Sequence, residues 1–211
     1  MKESLIFEAP ILCLITPGDL VNEDFTSAFE RLLETIRSAV SGGVSLIQIR
    51  EKELSAKNLD RLVSQVVCIV QDSATRIIVN DRADVAAAGG ADGVQLTEVS
   101  LAVGIVRSSF PDLLIGASTH SIPSIKTAAE QGADFALFGP VFPTPGKENA
   151  QGLRSLASAS KAVPGFPVLG VGGVDETNYR QVLSTGVSGF AAIRSLNNIE
   201  SLRSITVALF G

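Results

Sequence analysis

The chain has 211 residues, 45% of them hydrophobic, and a formal net charge of −5. This length and composition suffice for a full hydrophobic core and exclude a disordered protein. The acidic balance argues against non-specific binding to nucleic acid or to an anionic membrane, and no apolar run is long enough for a transmembrane helix or a signal segment. With only two cysteines, Cys13 and Cys68, both expected to be buried and reduced, we predict a soluble, cytoplasmic protein.

Short apolar runs alternate with helical patterns over the whole chain. The apolar runs predict eight strands at Ile11–Ile15, Val44–Ile49, Arg76–Val79, Gly93–Leu96, Leu113–Ala117, Phe135–Phe138, Val168–Val171 and Gly189–Ile193. Helical periodicity predicts helices at Ser27–Ser41, Ala56–Asp72, Ser121–Gln131, Ser155–Val163 and Glu176–Ser184. The strands are apolar on both faces, which is typical of parallel strands covered by helices.

A weak internal repeat supports the same arrangement. Four segments, GVSLIQI, GADGVQL, GADFALF and GVSGFAA, each begin with a glycine suited to end a helix and then continue into a strand. Eight strand–helix units without a Pro/Ser-rich linker favour an α/β fold, a single-domain (β/α)8 TIM barrel of minimal size spanning residues 1–211. An open doubly wound sheet is the alternative, although it usually has fewer strands.

Polar residues collect where the predicted strands end, which in a barrel is the face that carries the chemistry. In chain order these residues are Gln48, Arg50, Lys52, Asn80, Asp81, Ser118, His120, Thr144, Lys147, Gly172, Gly173 and Arg194. Glycine lets backbone N–H groups approach an anion closely, so the loops after strands seven and eight predict a phosphate site. The cations elsewhere predict a second, polyphosphate-binding region, with Asp81 available for Mg²⁺.

Each of these residues also has a structural interpretation. Arg50 and Lys52 could form a solvated charge run balanced by Glu51 and Glu53. Asp81 could cap the next helix, and His120 could be a near-surface histidine. Two nucleotide-binding motifs are excluded. The loop FPTPGK lacks the spacing and the hydroxyl of a P-loop, and GVGGV follows a late strand instead of opening the first strand–helix unit.

Five motifs occur in a fixed order over most of the chain, from about Cys13 to Ser195: QIREK, VNDRADVAAAGGADGVQL, IGASTHS, GADFALFGPVFPTPGK and VLGVGGV. Together they resemble the thiamine phosphate synthase/TenI family. The synthases of that family join hydroxymethylpyrimidine pyrophosphate to thiazole phosphate and release pyrophosphate. The resemblance therefore implies a transferase of thiamine biosynthesis that uses Mg²⁺ and small phosphorylated substrates, and such barrels commonly form homo-oligomers.

The resemblance also implies a role for each matching residue. The pyrimidine pyrophosphate would be held by Gln48, Arg50, Lys52, Asn80, Ser118 and Lys147. Arg50, Lys52 and Lys147 would be the catalytic cations, and Asp81 would bind Mg²⁺. The thiazole phosphate would contact Thr144, Arg194 and backbone groups at Gly173 and Ile193.

Three departures from the synthase pattern stand in the same motifs. Ser100 takes the place of a second Mg²⁺-binding aspartate, Gly146 that of a threonine or serine, and Arg194 that of a serine. Glu98 is near enough in the sequence to replace the missing carboxylate. Arg194 could itself grip a phosphate with two parallel hydrogen bonds.

These departures leave two other functions open. TenI-type tautomerases shift a proton on a thiazole carboxylate phosphate and need no metal, and His120 matches the position that they use for acid–base chemistry. A non-catalytic thiazole-phosphate binder is the other alternative. The complete QIREK and ND motifs favour the synthase, because only pyrophosphate chemistry needs them.

Overall fold

Eight strands alternate with helices in the computed structural model, which describes residues 10–22, 25–146 and 148–211. The strands are β1 (Ile11–Ile15), β2 (Leu46–Ile49), β3 (Arg76–Asn80), β4 (Gly93–Leu96), β5 (Leu114–Thr119), β6 (Phe135–Phe138), β7 (Val168–Val171) and β8 (Gly189–Ala192). The helices are α1 (Phe25–Ser41), α2 (Ala56–Val70), α3 (Ala83–Gly89), α4 (Val103–Ser109), α5 (Ile122–Glu130), α6 (Gly152–Ala159), α7 (Tyr179–Leu183), α8 (Arg194–Asn197) and α9 (Ile199–Phe210).

Every strand pairs in parallel with its neighbours, and β8 pairs with β1, so the sheet closes into a barrel. The predicted TIM barrel is confirmed, and the alternative prediction of an open doubly wound sheet is wrong. The predicted strand bounds differ from the observed ones by at most two residues. The difference is largest for β2, which begins at Leu46, and for β5, which continues to Thr119. The Thr119 hydroxyl donates to the Leu137 carbonyl over 3.1 Å, so a polar residue extends that strand.

Local signals in the sequence account for several helix ends. The Ser55 hydroxyl accepts from the Asn58 N–H at the start of α2, and Ser121 and Ser124 form a capping box at the start of α5. Helix α3 ends at Gly90, whose φ of 77° lies in the left-handed region that glycine adopts without strain.

Two hydrophobic layers follow from the alternation of residues along each strand. In β1, the side chains of Ile11, Cys13 and Ile15 pack inside the barrel, whereas Leu12 and Leu14 belong to the layer between the sheet and the helices. The interior layer is apolar at the amino ends of the strands and gains polar side chains, such as Gln48 and Gln95, toward the carboxyl ends of β2 to β5. This change in polarity places a site at the carboxyl end of the barrel.

The two cysteines differ in their surroundings. Cys13 is fully buried, and that burial raises the pKa of its thiol. Cys68 is exposed, so the prediction of two buried thiols is wrong for this residue. Helix α2 buries the face that carries Leu62 and Val66, and Cys68 lies off that face.

No helix in the described ranges is long and apolar enough to cross a membrane.

Candidate active site

A cavity of about 970 Å³ opens at the carboxyl ends of the strands. Ten of the twelve predicted site residues line it: Gln48, Arg50, Lys52, Asn80, Ser118, His120, Thr144, Gly173, Ile193 and Arg194. They come from six different strand ends, or from the loops that follow them, and meet only because the sheet is closed. A volume of this size accommodates two small substrates side by side.

The remaining two predicted residues stand apart. Lys147 lies outside the described residues. Asp81 is exposed and lines a smaller neighbouring cavity of about 270 Å³, which shares Lys52 and Asn80 with the large cavity. Asp81 has a φ of 62°, and its N–H donates to the Gln95 carbonyl, which holds this residue at the end of β4.

One half of the cavity floor is polar: Gln48, Asn80 and Ser118 line it, and Gln95 is buried against Ser118. The buried Gln48 side chain donates from Nε2 to Asn80 Oδ1 over 3.0 Å. The buried Gln95 side chain makes the equivalent contact one strand pair further along, from Nε2 to Ser118 Oγ over 3.0 Å. These four polar side chains come from the consecutive strands β2, β3, β4 and β5.

The other half of the floor is apolar. Its side chains are Ile15, Leu137, Val171 and Ile193, from the strand ends of β1, β6, β7 and β8. An aromatic ring with a polar edge would be accommodated across this boundary, with its face on the apolar residues and its heteroatoms toward the amides.

Arg50 is held by the loop after β1. Its backbone N–H donates to the Thr16 hydroxyl over 2.8 Å. Gly18 lies against the Arg50 side chain so closely that a Cβ atom there would be 2.8 Å from the guanidinium Nη1. Glu51 in turn fixes this loop, because its buried carboxylate accepts from the N–H groups of Gly18 and Leu20 over 3.0 and 2.9 Å. The interpretation of Glu51 as part of a solvated charge run is therefore wrong.

The glycines after β7 are required by close packing. A Cβ atom on Gly172 would lie 2.6 Å from Pro140, and one on Gly173 would lie 2.7 Å from Phe142. The Phe142 N–H also donates to the Gly172 carbonyl over 3.0 Å, so the loop after β6 continues alongside β7. This packing brings Thr144 and Gly173 to the same end of the cavity.

The start of α9 adds two residues that the sequence interpretation missed. Asn198 and Ser201 line the cavity beside Arg194, and the Ser201 N–H donates to Asn198 Oδ1 over 3.0 Å. The α9 N-terminus thus lies at the Gly173 and Arg194 end, where its helix dipole favours an anion. An asparagine before an apolar periodic run is a helix-start signal that could have located this end.

His120 lies at the cavity wall opposite a carboxylate. Its Nδ1 contacts the Gly139 carbonyl oxygen, which can only accept, so Nδ1 carries the proton and Nε2 is the basic nitrogen. Nε2 is 3.9 Å from Glu98 Oε2. Both side chains face the cavity, where they could exchange a proton with a ligand.

Two of the three residues that depart from the synthase pattern, Ser100 and Gly146, have local structural roles. The Ser100 hydroxyl accepts from the Thr97 N–H over 2.7 Å and lies 2.9 Å from the Thr97 hydroxyl, so it closes a turn and does not line the cavity. Gly146 has a φ of 75° with open space where a side chain would be. Arg194, the third, is exposed at the cavity mouth.

The described charges around the cavity balance one another. Arg50, Lys52 and Arg194 face it together with three carboxylates, those of Glu98, Asp175 and Glu176. A polyphosphate bound among the described residues would therefore meet little net positive charge, which favours a ligand that arrives with a divalent cation.

The oxygen donors present suit such a cation. Mg²⁺ is usually bound by one or two carboxylates together with substrate phosphate oxygens, and Asp81 and Glu98 offer carboxylates at neighbouring strand ends. No group of three or more acidic, histidine or cysteine side chains suited to a metal ion occurs within the part of the chain that the structure describes. Glu98 lines the large cavity and Asp81 the smaller one, so a metal ion between these strand ends would need further ligands from a phosphorylated substrate.

Comparisons with known proteins agree with this geometry. A family profile described as "Thiamine monophosphate synthase" matches residues 12–196. The thiamine-phosphate synthase of Chlorobium luteolum is 36% identical over 198 residues, covering 92% of this chain and 88% of that protein. The thiamine-phosphate synthase of Pyrococcus furiosus is 35% identical over 182 residues, covering 84% and 86%.

A solved structure is similar over the whole barrel. The thiamine phosphate pyrophosphorylase from Pyrococcus furiosus superposes with a TM-score of 0.81 at 29% identity, covering 96% of this chain and 98% of that one. The matched profile spans most of the chain and includes every strand end that lines the cavity. The chain therefore belongs to the thiamine monophosphate synthase family.

Proposed function

We propose that this chain joins hydroxymethylpyrimidine pyrophosphate to thiazole phosphate and releases pyrophosphate, which makes it a transferase of the thiamine-phosphate synthase type. The observation that carries this proposal is the single cavity in which a cationic, amide-rich end faces a glycine-rich end at the start of α9. One end suits a pyrophosphate and the other a phosphate monoester. The relatives named as thiamine-phosphate synthases support the same reaction.

At the first end, the pyrophosphate would be bound by side chains that can donate hydrogen bonds. Arg50 and Lys52 would pair with its oxygens, and Ser118 and Asn80 would donate from the polar half of the floor. We include Lys147 in this set on the resemblance of its motif. These donors stabilise the negative charge that develops as the leaving oxygen departs, which is usually the largest catalytic contribution in such sites.

At the second end, the thiazole phosphate would lie between the loop after β6 and the start of α9. Thr144 and Arg194 supply side-chain donors, and backbone groups at Gly173 and Ile193 complete the site. Asn198 and Ser201 are adjacent and extend it. Holding the acceptor here keeps its ring nitrogen close to the reacting pyrimidine carbon, which is a contribution of proximity.

The bond changes balance without a nucleophilic side chain. The carbon–oxygen bond to pyrophosphate breaks and its electron pair leaves on oxygen, while the thiazole nitrogen lone pair forms the new carbon–nitrogen bond. Among the described residues, His120 contacts Gly139 and Glu98 and is hydrogen-bonded to no serine or cysteine, and the reaction needs no such pair. Asp81 and Glu98 are the residues that would hold Mg²⁺, which when bound would offset charge on the departing pyrophosphate.

One observation favours a second function. His120 presents its basic Nε2 to the cavity beside Glu98, as a proton shift on a thiazole carboxylate phosphate would require. The names of the relatives favour the synthase over this tautomerase. Cytoplasmic location and self-association stay predictions from the sequence.

Three single substitutions separate the two reactions. Lys52→Ala and Asp81→Asn should each lower the rate of pyrophosphate release about 100-fold or more, because charge stabilisation of the leaving group is lost. His120→Ala should leave that rate nearly unchanged. Steady-state release of pyrophosphate from both substrates, with Mg²⁺ present, measures all three variants.

Exposed residues of the same type provide matched controls. Lys57→Ala and Asp72→Asn make the same chemical changes at exposed positions away from the cavity and should retain full activity. Loss of activity in His120→Ala, with Lys52→Ala and Asp81→Asn unaffected, would contradict the synthase assignment and favour the tautomerase.

A further inference from the structure

Gln95 contacts the proposed site only indirectly, through the hydroxyl oxygen of Ser118. It lies on β4, is 0% exposed, and does not line the cavity. Its Nε2 donates to the Ser118 hydroxyl oxygen over 3.0 Å, and Ser118 does line the cavity. Any influence of Gln95 on a ligand therefore passes through the Ser118 hydroxyl.

The direction of this hydrogen bond decides what Ser118 can do. An amide NH₂ group only donates, so the Ser118 oxygen accepts and its own proton stays available. Within the described residues, that proton has no other acceptor, so it can be donated to a cavity ligand. The Gln48–Asn80 contact has the same direction and leaves the Asn80 Nδ2 group free to donate. Two buried amides thus leave two cavity groups as donors, which suits a ligand that only accepts.

The packing around Gln95 holds this direction in place. A Cβ atom on Gly116 would be 2.1 Å from Gln95 Oε1 and 2.4 Å from the Phe135 ring, so only glycine leaves room for the amide. Gln95 Oε1 is buried and finds no hydrogen-bond partner in the described part of the chain. An unpaired buried acceptor costs folding free energy. An apolar side chain of similar size, such as Met, would fill the same space without that cost. What the glutamine adds is the donor to Ser118.

We propose that Gln95 is a positioning residue that keeps the Ser118 hydroxyl oriented as a hydrogen-bond donor to the leaving pyrophosphate. The inference rests on the proposed function for the identity of the ligand. It does not require Gln95 to touch either substrate.

The most direct test is Gln95→Glu assayed at alkaline pH, because burial favours the neutral carboxyl group and a high pH is needed to ionise it. The ionised variant keeps the shape of the side chain but replaces the donor with an acceptor. Ser118 would then turn its proton toward residue 95 and away from the ligand. The turnover number for pyrophosphate release should fall roughly ten- to hundredfold, whereas the KM for thiazole phosphate stays unchanged. Gln95→Met should cause a smaller fall, and it keeps the test informative if the buried charge prevents folding. Gln71→Glu, at the exposed C-cap of α2, makes the same charge change and should be neutral.

A double-mutant cycle separates positioning from packing. In a Ser118→Ala background, Gln95→Met should change the turnover number by less than about twofold, because the group that it orients is already absent. Equal effects of Gln95→Met in both backgrounds would overturn the inference. So would wild-type turnover in Gln95→Glu at a pH where the carboxyl group is ionised, since a carboxylate can accept but not donate.

Failure of the proposed function would give a different result. If the wild-type protein releases no pyrophosphate, the affinity for inorganic pyrophosphate with Mg²⁺, measured by calorimetry, takes the place of turnover. An affinity that decreases from the wild type to Gln95→Met and then to Gln95→Glu would support the inference even without turnover. Equal affinities of the three proteins would overturn it.

Discussion

The buried carboxylate of Glu51 holds the loop that packs against Arg50, one of the proposed catalytic residues. Gln48, Arg50 and Lys52 alternate toward the cavity, so the residues between them face the opposite side of the sheet. Glu51 is 3% exposed there and accepts from the N–H groups of Gly18 and Leu20. Because the Gly18 loop packs so close to Arg50 that a Cβ atom on Gly18 would lie 2.8 Å from the guanidinium, Glu51 helps to position a proposed catalytic cation.

Replacing Glu51 should therefore affect both stability and activity. Glu51→Ala leaves two N–H groups without their acceptor and should lower the free energy of unfolding by roughly 3 kcal/mol, as expected for two hydrogen bonds to a charged group. It should also lower kcat/KM for the pyrimidine substrate, since the loop beside Arg50 is released. Urea unfolding and steady-state kinetics measure the two effects.

Glu53→Ala is the matched control, because Glu53 is exposed two residues further along. It should change neither quantity appreciably. Equal stability losses in the two variants would show that the Glu51 hydrogen bonds do not carry the effect.

At the scale of elements, the internal repeats have a structural explanation. In three of them, the third residue accepts a hydrogen bond from the backbone N–H of the preceding strand: Ser45 from Leu12, Asp92 from Ile77 and Asp134 from Ile115. Each contact joins the entry of one strand to the neighbour that precedes it in the barrel. The repeated GVS and GAD segments thus help to fix the strand register at the barrel end opposite the cavity.

Asp134 has the most extensive version of this contact. Besides the Ile115 N–H at 2.7 Å, its carboxylate accepts from Arg107 at 2.6 Å. The Arg107 guanidinium also donates to the carbonyls of Gly132 and Leu113, so it joins α4 to the entries of β5 and β6.

Asp134→Ala should lower the free energy of unfolding by roughly 2–4 kcal/mol, because it leaves the Ile115 N–H without its acceptor and the half-buried Arg107 guanidinium without its carboxylate partner. The KM values should stay unchanged, since the contact lies at the far end of the barrel. Thermal and urea unfolding measure the loss. Asp112→Ala, at an exposed position nearby, is the control and should be neutral. A change in KM without a loss of stability would contradict a purely structural role.

For the molecule as a whole, the reactivity of the Cys13 thiol shows whether the barrel is closed. It pairs with Leu46 of β2 and with Ala191 of β8, so it lies at the point where the sheet closes. Its thiol is fully buried, and burial raises its pKa, so the reactive thiolate is scarce in the folded protein.

In a Cys68→Ser variant, Cys13 should react with a disulfide reagent only when the barrel opens. The labelling rate should be at least about a thousandfold slower than in denaturant, as the stability of a typical domain predicts. Rapid labelling under native conditions would contradict a continuously closed barrel. The wild-type protein is the control, because its exposed Cys68 should react at once.

Much of this molecule could be predicted from its sequence. Apolar runs located all eight strands, and the resemblance identified ten of the residues that line the cavity. The positions of Glu51 and Gln95 could not be predicted, because a polar residue in a strand reveals its partners only once the neighbouring strands are known. Cys68 was misplaced because a small side chain gives little signal of which helix face is buried.

The proposed function requires this cavity to couple the two substrates. Mass spectrometry would detect thiamine phosphate and pyrophosphate after incubation of the purified protein with hydroxymethylpyrimidine pyrophosphate and thiazole phosphate. With Mg²⁺ we expect both products in equal amounts, and with EDTA neither. Absence of both products with Mg²⁺, under conditions where the protein binds thiazole phosphate or shifts a proton on its carboxylate, would contradict the account.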